Sequence, residues 1–560
     1  MKTVIRYSLF IIYYSLFFLI PNKDLWGQKI LKDTLLHVVK SFQPTIADAY
    51  KINDAPLVKD SVPPPPQLSY SIQSKNIFTP FTVDPIKPAK MVGEPLPKLY
   101  NTLVKAGAGT YLYGEGFFNN LRSKEISYGA HVKHLSWNGK IDERPSGFSN
   151  NLMNVYGKKI LYKHTVSANL DYNRDAIHYY GYDTSTIYID NSDYIQQTYS
   201  TIGGNAALQS HFTDSVRVNY LAKLTYYNLS DNYKASENNV NAEGNFSGYY
   251  DHQLVNVPVI MDFYNNKSDS DTANSVLFHL NPHLLSSGDK WNTRIGMGVA
   301  IEGNQNDKSR FLFYPSIDFN YNISHHIIIP YAGVTGGLKK NSLKTLTEVN
   351  PFLVPDPLLK NTHTKWDLYA GLRGSISKSL TYNTRASFGK IQDLFLFAND
   401  NRDVVKKGFD VVYDDGDLLN LHGELQYQHT EKIKVIAKGD YNKYTMEREQ
   451  YAWHRPELEL SLGTNYNLKN KIVLNTDVFV VGKRFSYTPS QGQGTGITII
   501  SSSIKELKPV VDANLGIEYR YSKKLSAFLN LNNLAFKRYD LWNNYPSQSF
   551  NFLAGVSVVF

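Results

Sequence analysis

Cysteine is absent from this chain of 560 residues, so a disulfide scaffold, a zinc ribbon and a thiol nucleophile are all excluded. The chain also lacks the several apolar runs that a bundle of membrane-spanning helices would require. With a mean hydropathy of −0.36, the chain cannot be a membrane protein built as a bundle of apolar helices, because each such helix needs about 20 apolar residues. The formal net charge of +9 is a mild excess that we interpret as spread along the chain. No basic tract accompanies it, so we predict no nucleic-acid partner.

Motifs for catalysis are missing as well. The sequence shows no metal-ligand spacing, nucleophile elbow or phosphate loop, so we predict that the protein is not an enzyme and has no cofactor or metal site. Gly492, Gly494 and Gly496 lack the preceding strand and following helix of a nucleotide-binding loop. Clustered carboxylates in expected loops are weak calcium candidates, since none completes a calcium-loop pattern: Asp269, Asp271, Asp414, Asp415 and Asp417.

What the sequence does contain is alternation. Beyond Tyr100, apolar residues recur at every second position, which is typical of strands and does not fit helical spacing. In 511–521 the two faces are distinct, with Val511, Ala513, Leu515, Ile517, Tyr519 and Tyr521 opposing Asp512, Asn514, Gly516, Glu518 and Arg520. The same split recurs in 311–321 and 419–428. Each strand therefore has one apolar and one polar face.

The connections between these strands are of two kinds. Very short turns, such as Ser377-Lys378 and Lys469-Asn470, alternate with long polar loops, of which 340–365 and 486–508 are the longest. A soluble β-sandwich also alternates, but its turns recur every 8 to 12 residues. Short turns on one side and long loops on the other are typical of a bacterial outer-membrane barrel. Hydrocarbon offers backbone groups no hydrogen-bond partner, so a sheet can cross a membrane only when it closes. We predict an all-β fold, a transmembrane antiparallel β-barrel located in the outer membrane.

The number of strands follows from parity. Counting backward from 547–560 to 101–119 gives 21 segments, and a barrel that begins and ends in the periplasm needs an even number. Residues 68–76 are the available candidate for the missing strand. We therefore predict 22 strands, with 20 or 18 as alternatives if weak segments are misassigned.

The first residues carry an export signal. Lys2 and Arg6 precede an apolar stretch at 7–20, which predicts a signal peptide over 1–27. A single membrane-anchoring helix is the alternative, although the stretch is short for a bilayer. We predict a periplasmic Pro-rich segment at 28–66 and the barrel at 67–560.

The last strands resemble a known family. The closing segment places Phe552, Val556, Val558 and Phe560 on one face, and an aromatic carboxy-terminus is similar to the signature recognised by the barrel-assembly machinery. This ending resembles TonB-dependent receptors in residues 530–534, Lys537-Arg538-Tyr539, Tyr545-Pro546 and Asn551-Phe552. The resemblance implies a wide barrel of 22 strands that takes part in solute uptake.

The chain departs from that family at its beginning. TonB-dependent receptors carry a plug domain of well over a hundred residues, whereas only about 70 Pro-rich residues precede the first strand here, so we predict a plug-less barrel. Residues 33–39 resemble the short energy-coupling segment of the family, but an ordinary exported N-terminus is the favoured interpretation. The lumen then needs another filler: residues 40–97, an inward-folded 340–365 loop, or another protein.

Charged residues on the polar faces are the candidate functional residues. We expect the lumen to receive Arg373, Arg385, Glu424, Lys434, Lys438, Asp512, Glu518 and Arg520, together with His131, Lys133, Asp171, Lys223, His422 and Asp440. The favoured interpretation is that they pair across strands, because the same charges facing lipid cost roughly 2 to 4 kcal/mol each. The alternative is a pathway, or contacts that hold an internal loop. Aromatic residues near strand ends, namely Tyr179, Tyr180, Trp137, Trp366, Trp453 and Trp542, fit interfacial girdles.

Two functions follow. The first is a receptor-like or porin-like barrel for solute uptake across the outer membrane of a Gram-negative cell. The second is a non-transporting scaffold that binds a surface or periplasmic partner, such as a lipoprotein, and a barrel hydrolase is a weaker third option. In both of the main interpretations the barrel contacts outer-membrane lipid and lipopolysaccharide.

Overall fold

A computed structural model describes residues 100–560, except 121–124, 186, 188, 190–191, 214–215, 252, 270–271, 305–307, 325, 401, 404–407 and 490–502. The expected signal peptide, the Pro-rich segment and the candidate strand at 68–76 therefore lie outside the described residues. So do Asp271, Gly492, Gly494 and Gly496. Among the described residues, no helix has the length and apolar composition needed to span a membrane.

The described chain forms one closed antiparallel β-barrel of 22 strands, which confirms the predicted fold. Every neighbouring pair is antiparallel, and the sheet closes where the first strand pairs with the last, with Leu103 opposite Val559. The wall consists of β1 (Thr102–Gly109), β2 (Leu112–Asn119), β3 (Ile126–Trp137), β6 (Phe148–Ile160), β7 (His164–His178), β8 (Gln196–Ser210), β9 (Asn219–Asp231), β10 (Ser236–Tyr250), β11 (Gln253–Lys267), β12 (Thr272–Leu280), β13 (His283–Ser287), β14 (Trp291–Asn304), β15 (Arg310–Tyr321), β16 (Ile329–Lys339), β17 (Thr362–Ser377), β18 (Leu380–Asn399), β19 (Phe409–His429), β20 (Ile433–Met446), β21 (Leu458–Leu468), β22 (Ile472–Val481), β25 (Val510–Arg520), β26 (Leu525–Asn532) and β29 (Asn551–Val559).

These wall segments number one more than the strands because β12 and β13 are two halves of one strand. Both halves pair with β11 and with β14. The interruption contains Pro282, which has no N–H to donate to the ladder. Short pairs outside the wall are β4 (Lys140–Ile141) with β5 (Arg144–Pro145), β23 (Arg484–Thr488) with β24 (Ser503–Leu507), and β27 (Asp540–Trp542) with β28 (Tyr545–Pro546). One helix, α1 (Leu343–Val349), lies in a loop.

The first wall segment differs from the expectation. Residues 101–119 are not one strand but the hairpin of β1 and β2, with Ala108 opposite Leu112. Gly109 permits the tight turn, because a side chain there would lie 2.5 Å from the carbonyl oxygen of Phe552. This extra strand completes the even number, so the closed sheet needs no strand from 68–76.

The two faces of the sheet differ in what they contact. Apolar side chains on one face, such as Leu170, Phe313 and Leu425, are exposed. The other face carries buried polar groups such as Glu237 and Asp262. The backbone N–H of Leu343, in the loop between β16 and β17, donates to Glu237 on β10. Several wall strands separate β10 from β16, so this loop crosses the barrel interior. The polar face is therefore the inner face.

Most connections are segregated by length, as expected, although the two-residue turn between β1 and β2 lies at the same end as the long loops. Short turns, such as 378–379 between β17 and β18, join the strands at one end, which we call the short-turn end. Long connections, including 340–361 and 482–509, lie at the other end, which we call the long-loop end. The strands around the loop at 400–408 are the longest, with 20 residues in β18 and 21 in β19. They are more than twice as long as β1 and β2, which have eight residues each and lie at the seam where β1 pairs with β29.

Candidate functional site

The long-loop end contains a buried aromatic core, which we call the cap. Its residues come from connections that start at widely separated strands, so they can meet only by crossing the mouth of the barrel. The buried members are Ile141, Tyr179, Tyr180, Tyr182, Ile195, Leu346, Leu353, Phe395, Phe397, Phe409, Val411, Tyr413 and Tyr545. Trp137, Phe352 and Trp542 pack against them. The cap therefore covers the long-loop end with packed side chains.

One connection, residues 340–361, forms the main element of the cap, and we call it the strap. Asn341 holds its two ends together, since its side-chain amide donates to the carbonyl of Lys360 at 2.8 Å and its backbone N–H donates to Asn361 Oδ1 at 3.0 Å. Ser342 caps helix α1 through a reciprocal contact with Thr345. The helix N-terminus is then held against β10, because the Leu343 N–H donates to Glu237 at 2.7 Å.

The middle of the strap is fixed to the opposite side of the barrel. The Tyr199 hydroxyl on β8 donates to the carbonyl of Pro351 at 3.1 Å, and the Tyr179 hydroxyl donates to that of Leu353 at 2.5 Å. Beside them, the Phe409 N–H donates to the Phe352 carbonyl at 2.8 Å. The strap is thus bound by hydrogen bonds at both ends and at its centre. Its anchored residues are therefore held in place, while others such as Val349 remain exposed.

Aromatic rings fill the space beneath the strap. Phe352 stacks on Tyr545 with ring centroids 4.0 Å apart, and Tyr180 meets the Tyr545 ring edge-on at 4.9 Å. Burial raises the pKa of the Tyr545 hydroxyl well above its usual value. Phe409 and Trp542 continue the cluster at 5.7 Å. Such pairs contribute about 0.5 to 1.5 kcal/mol each beyond their burial, so the closed arrangement is strongly preferred.

His454 joins three parts of the cap. Its Nδ1 lies 3.0 Å from the carbonyl of Phe397, and its Nε2 accepts from the N–H of Asn543 at 3.4 Å. The two contacts require a neutral ring with the proton on Nδ1, because the carbonyl needs a donor and the N–H needs an acceptor. Burial lowers the pKa of His454 to about 3, and nearby Arg484 acts in the same direction.

We expect acid to loosen this part of the cap. The unfolded chain binds a proton at His454 below about pH 6.5, whereas the folded cap resists protonation until about pH 3. The stability that neutral His454 contributes is therefore fully present above pH 6.5. It falls as the pH drops toward 3, and the loss is roughly 2 to 3 kcal/mol at pH 4.5. The loss is measured as reduced protection of the backbone amides of residues 395–399 and 543 from hydrogen exchange, after correction for the intrinsic pH dependence of exchange. His454→Gln should remove the effect, and His326→Gln, in an exposed turn, should keep it. Unchanged protection of the wild type at pH 4.5 would contradict the assignment.

Below the cap, the inner wall carries the charges named from the sequence. The register places the predicted charges, from Arg373 to Arg520, on the same face as Glu237 and Asp262. Arg385 pairs with Asp367 at 2.6 Å and Lys438 with Glu424 at 3.4 Å, in both cases across neighbouring strands, whereas Arg520 pairs with Glu518 at 2.9 Å within β25. His422 contacts Asp440 at 2.8 Å, His131 contacts Glu115 at 3.0 Å and Lys223 contacts Glu243 at 3.1 Å. Pairing on this scale leaves the wall polar but locally balanced in charge.

Three of the predicted charges behave differently. Arg373 donates to Asn320 at 2.9 Å and lines a recess of about 720 Å³ on the inner wall. Asp512 holds a long loop, since it accepts from the N–H of Ala535 and the hydroxyl of Tyr539, each at 3.2 Å. Lys434 lies opposite Gln428 and Asn465. Lys133 and Asp171 also lie on the inner face.

The expected aromatic girdle is partly wrong. Tyr179, Tyr180 and Trp453 are 1%, 8% and 2% exposed, so they are packed inside the long-loop end and cannot lie at a lipid interface. Trp137 and Trp542 also pack against the cap. Residues of a girdle and residues of the cap both lie near strand ends, so their positions in the sequence do not distinguish them. Their burial in the structure does. Only the length of the expected loop at 340–365 pointed to the cap in the sequence.

The remaining sequence candidates are also placed by the structure. Phe552, Val556 and Phe560 are exposed on the outer face, and Val558, on the same face, is half-buried. Asp414 is buried and bound to Arg448 at 3.0 Å, and Asp269 is bound to Lys234 at 2.8 Å. Within the described ranges, no group of three or more metal-ligating side chains comes together.

No protein-family model matches the chain, and no curated protein matches it in sequence. Solved structures with the same fold are found. The iron transporter FrpB from Neisseria meningitidis superposes with a TM-score of 0.63 at 11% identity, covering 83% of this chain and 82% of that one. The ferric-catecholate import receptor Fiu from E. coli K12 gives 0.61 at 11% identity, covering 82% of each chain. The ferripyoverdine receptor of the outer membrane of Pseudomonas aeruginosa gives 0.61 at 13% identity, covering 82% and 72%. The likeness shows that the chain has the barrel fold of these transport receptors.

Proposed function

We propose that this protein is an outer-membrane barrel, similar to TonB-dependent receptors, that passes a solute through its lumen and is closed by the strap and the cap. The observation that carries the proposal is that the lining of the barrel and its closure are formed by different parts of the chain. The inner wall is polar and charge-balanced, whereas closure comes from a separate element bound at the mouth. A gated passage needs two parts. The first is a wall suited to a water-filled path, and the second is a closing element that can move away.

The outer face supports the proposed location. Its exposed side chains are aliphatic and aromatic over successive strands, as at Phe311, Phe313 and Phe319 on β15. In water this surface would be costly, since each Å² of apolar area exposed costs about 25 cal/mol. Lipid and lipopolysaccharide are its proposed surroundings. The outward face of β29, with Phe552, Val556, Val558 and Phe560, is its proposed contact with the barrel-assembly machinery.

Solute passage does not depend on a plug domain in this proposal. The described residues include no plug-like region within the barrel, and closure at the long-loop end is accounted for by the strap. Whether the N-terminal residues couple the barrel to an energy source is a separate question, and the proposed gating needs only movement of residues 340–361.

A non-transporting scaffold is the second candidate function, and the tight packing of the cap favours it. The two candidates differ in one measurable property, the current through the purified full chain in a planar bilayer. A gated passage predicts a quiet wild type and sustained current once the strap is removed. A scaffold predicts silence from both proteins, and in that case its partner should copurify from membranes in fixed proportion.

A further inference from the structure

The positive charge of the chain is concentrated at the short-turn end. Counted over the described residues alone, the stretches that join strands there hold 12 basic and 4 acidic residues. These residues are spread along the sequence, as expected, but the barrel brings them to one rim with a net charge of +8, from 12 basic and 4 acidic residues. The stretches are 119–126, 157–164, 211–218, 250–253, 287–291, 321–328, 377–380, 429–433, 468–472 and 520–525.

Part of this rim surrounds a cleft of about 890 Å³, which we call the basic cleft. Lysines from two adjacent turns line it, Lys469 and Lys471 between β21 and β22, and Lys523 and Lys524 between β25 and β26. All four are exposed. The apolar part of the floor is formed by Leu103 and Val559, which lie opposite one another on the inner face, while the buried ring of Phe528 beside them is covered by Lys105 Nζ at 4.4 Å. Cationic edges and an apolar floor are thus combined in one concave surface.

The carboxylates inside the basic cleft are already engaged. Glu518 is bound to Arg520 at 2.9 Å, and Glu115 contacts His131 at 3.0 Å. By contrast, none of Lys469, Lys523 and Lys524 forms an ion pair with any residue between 100 and 560 that the structure describes. Like charges held this close repel one another, so the cleft gains stability from any anion that enters it.

Two sources of negative charge are disfavoured. The N-terminal residues 28–99 hold nine lysines and six acidic residues, so that segment is itself basic. Anionic lipid headgroups approach a barrel from its outer face, whereas Phe528, Glu518 and Val559 of the basic cleft lie on the inner face. A separate molecule that enters at the short-turn end satisfies both the charge and the geometry.

We propose that the basic cleft binds an acidic, partly apolar segment of a second protein. Carboxylates of the segment pair with the lysines of the two turns, and one or two of its aliphatic side chains pack against Leu103 and Val559. The compartment in which the two proteins meet rests on the proposed function, because a barrel in the outer membrane whose first and last strands start and end in the periplasm has its short-turn end there. The interaction itself depends only on the cleft.

The test uses the full chain in nanodiscs of zwitterionic lipid and two fluorescent peptides, (Leu-Glu-Glu)5 and (Leu-Gln-Gln)5, followed by fluorescence anisotropy. The acidic peptide should bind, more weakly at high salt because exposed charges are screened. The triple variant Lys469→Gln, Lys523→Gln, Lys524→Gln should bind it about tenfold more weakly. The matched variant Lys290→Gln, Lys378→Gln, Lys432→Gln removes the same charge from the rim outside the cleft and should bind like the wild type.

Four outcomes overturn the proposal. They are absence of binding by the acidic peptide, equal binding of the neutral peptide, equal losses in the two triple variants, and displacement of the acidic peptide when anionic phospholipid is added to the discs. The last outcome assigns the cleft to lipid. A barrel that conducts but fails the peptide assay contradicts this proposal alone. A barrel that binds the peptide but conducts in no variant contradicts the transport proposal alone.

Discussion

Replacing residues 343–359 with a short Gly-Ser linker is expected to turn a quiet barrel into one that carries a large, sustained current in a planar bilayer. The linker can close the gap because Asn341 and Asn361 are already in contact at 3.0 Å. Removal takes away α1, Phe352 and the hydrogen bonds to Tyr179 and Tyr199. The polar inner wall stays intact, so the remaining path is filled with water, as in wide outer-membrane barrels.

A milder change should open the same path part of the time. Phe352→Ala removes the ring that stacks on Tyr545, which costs about 3 kcal/mol or more for a packed aromatic side chain. The ratio of open to closed states should then rise roughly a hundredfold. Val349→Ala is the matched control, since Val349 lies in the strap but is 50% exposed. Equal currents from the wild type and the strap-deleted protein would show that the strap does not close the barrel.

Leu425→Arg is expected to destabilise the barrel in lipid by about 2 to 4 kcal/mol, the cost of an arginine near the bilayer midplane. Leu425 is 51% exposed on the outer face of β19, a few residues from the short turn. The neighbouring Gln426→Arg places the same charge on the opposite face. Gln426 lies opposite Thr381 and Ile436, and this register directs position 426 to the inner face, where the charge is in contact with water. Reversible unfolding by denaturant in lipid vesicles measures both. Equal losses for the two variants would contradict the assignment of the faces.

The faces of the strands could be read from the sequence because strand alternation is a local property. Arg385 and His422 are opposite one another on the inner face, and each was assigned from its own strand alone. The strand number was also correct, although one segment was misread. The turn at Gly109 is so tight that the alternation of β1 continues into β2, and the pair reads as one long strand.

The cap could not be read in the same way. Tyr179 and Leu353, whose hydrogen bond fixes the strap, are 174 residues apart, and neither stands in a motif. Contacts of this kind depend on how several loops pack together, which no periodicity records. The basic rim was missed for a related reason. Its described lysines and arginines are distributed over seven of the ten connections at that end, and only the arrangement of the strands brings those connections together.

Cysteine labelling along β19 tests the central claim most directly, and the natural absence of cysteine makes single-cysteine variants simple to interpret. Each position from 419 to 426 is replaced in turn, and the proteins are exposed in lipid vesicles to a water-soluble maleimide on both sides of the membrane. Our account predicts labelling at 420, 422, 424 and 426, and protection at 419, 421, 423 and 425. Labelling of the odd-numbered set, or equal labelling at all eight positions, would contradict it.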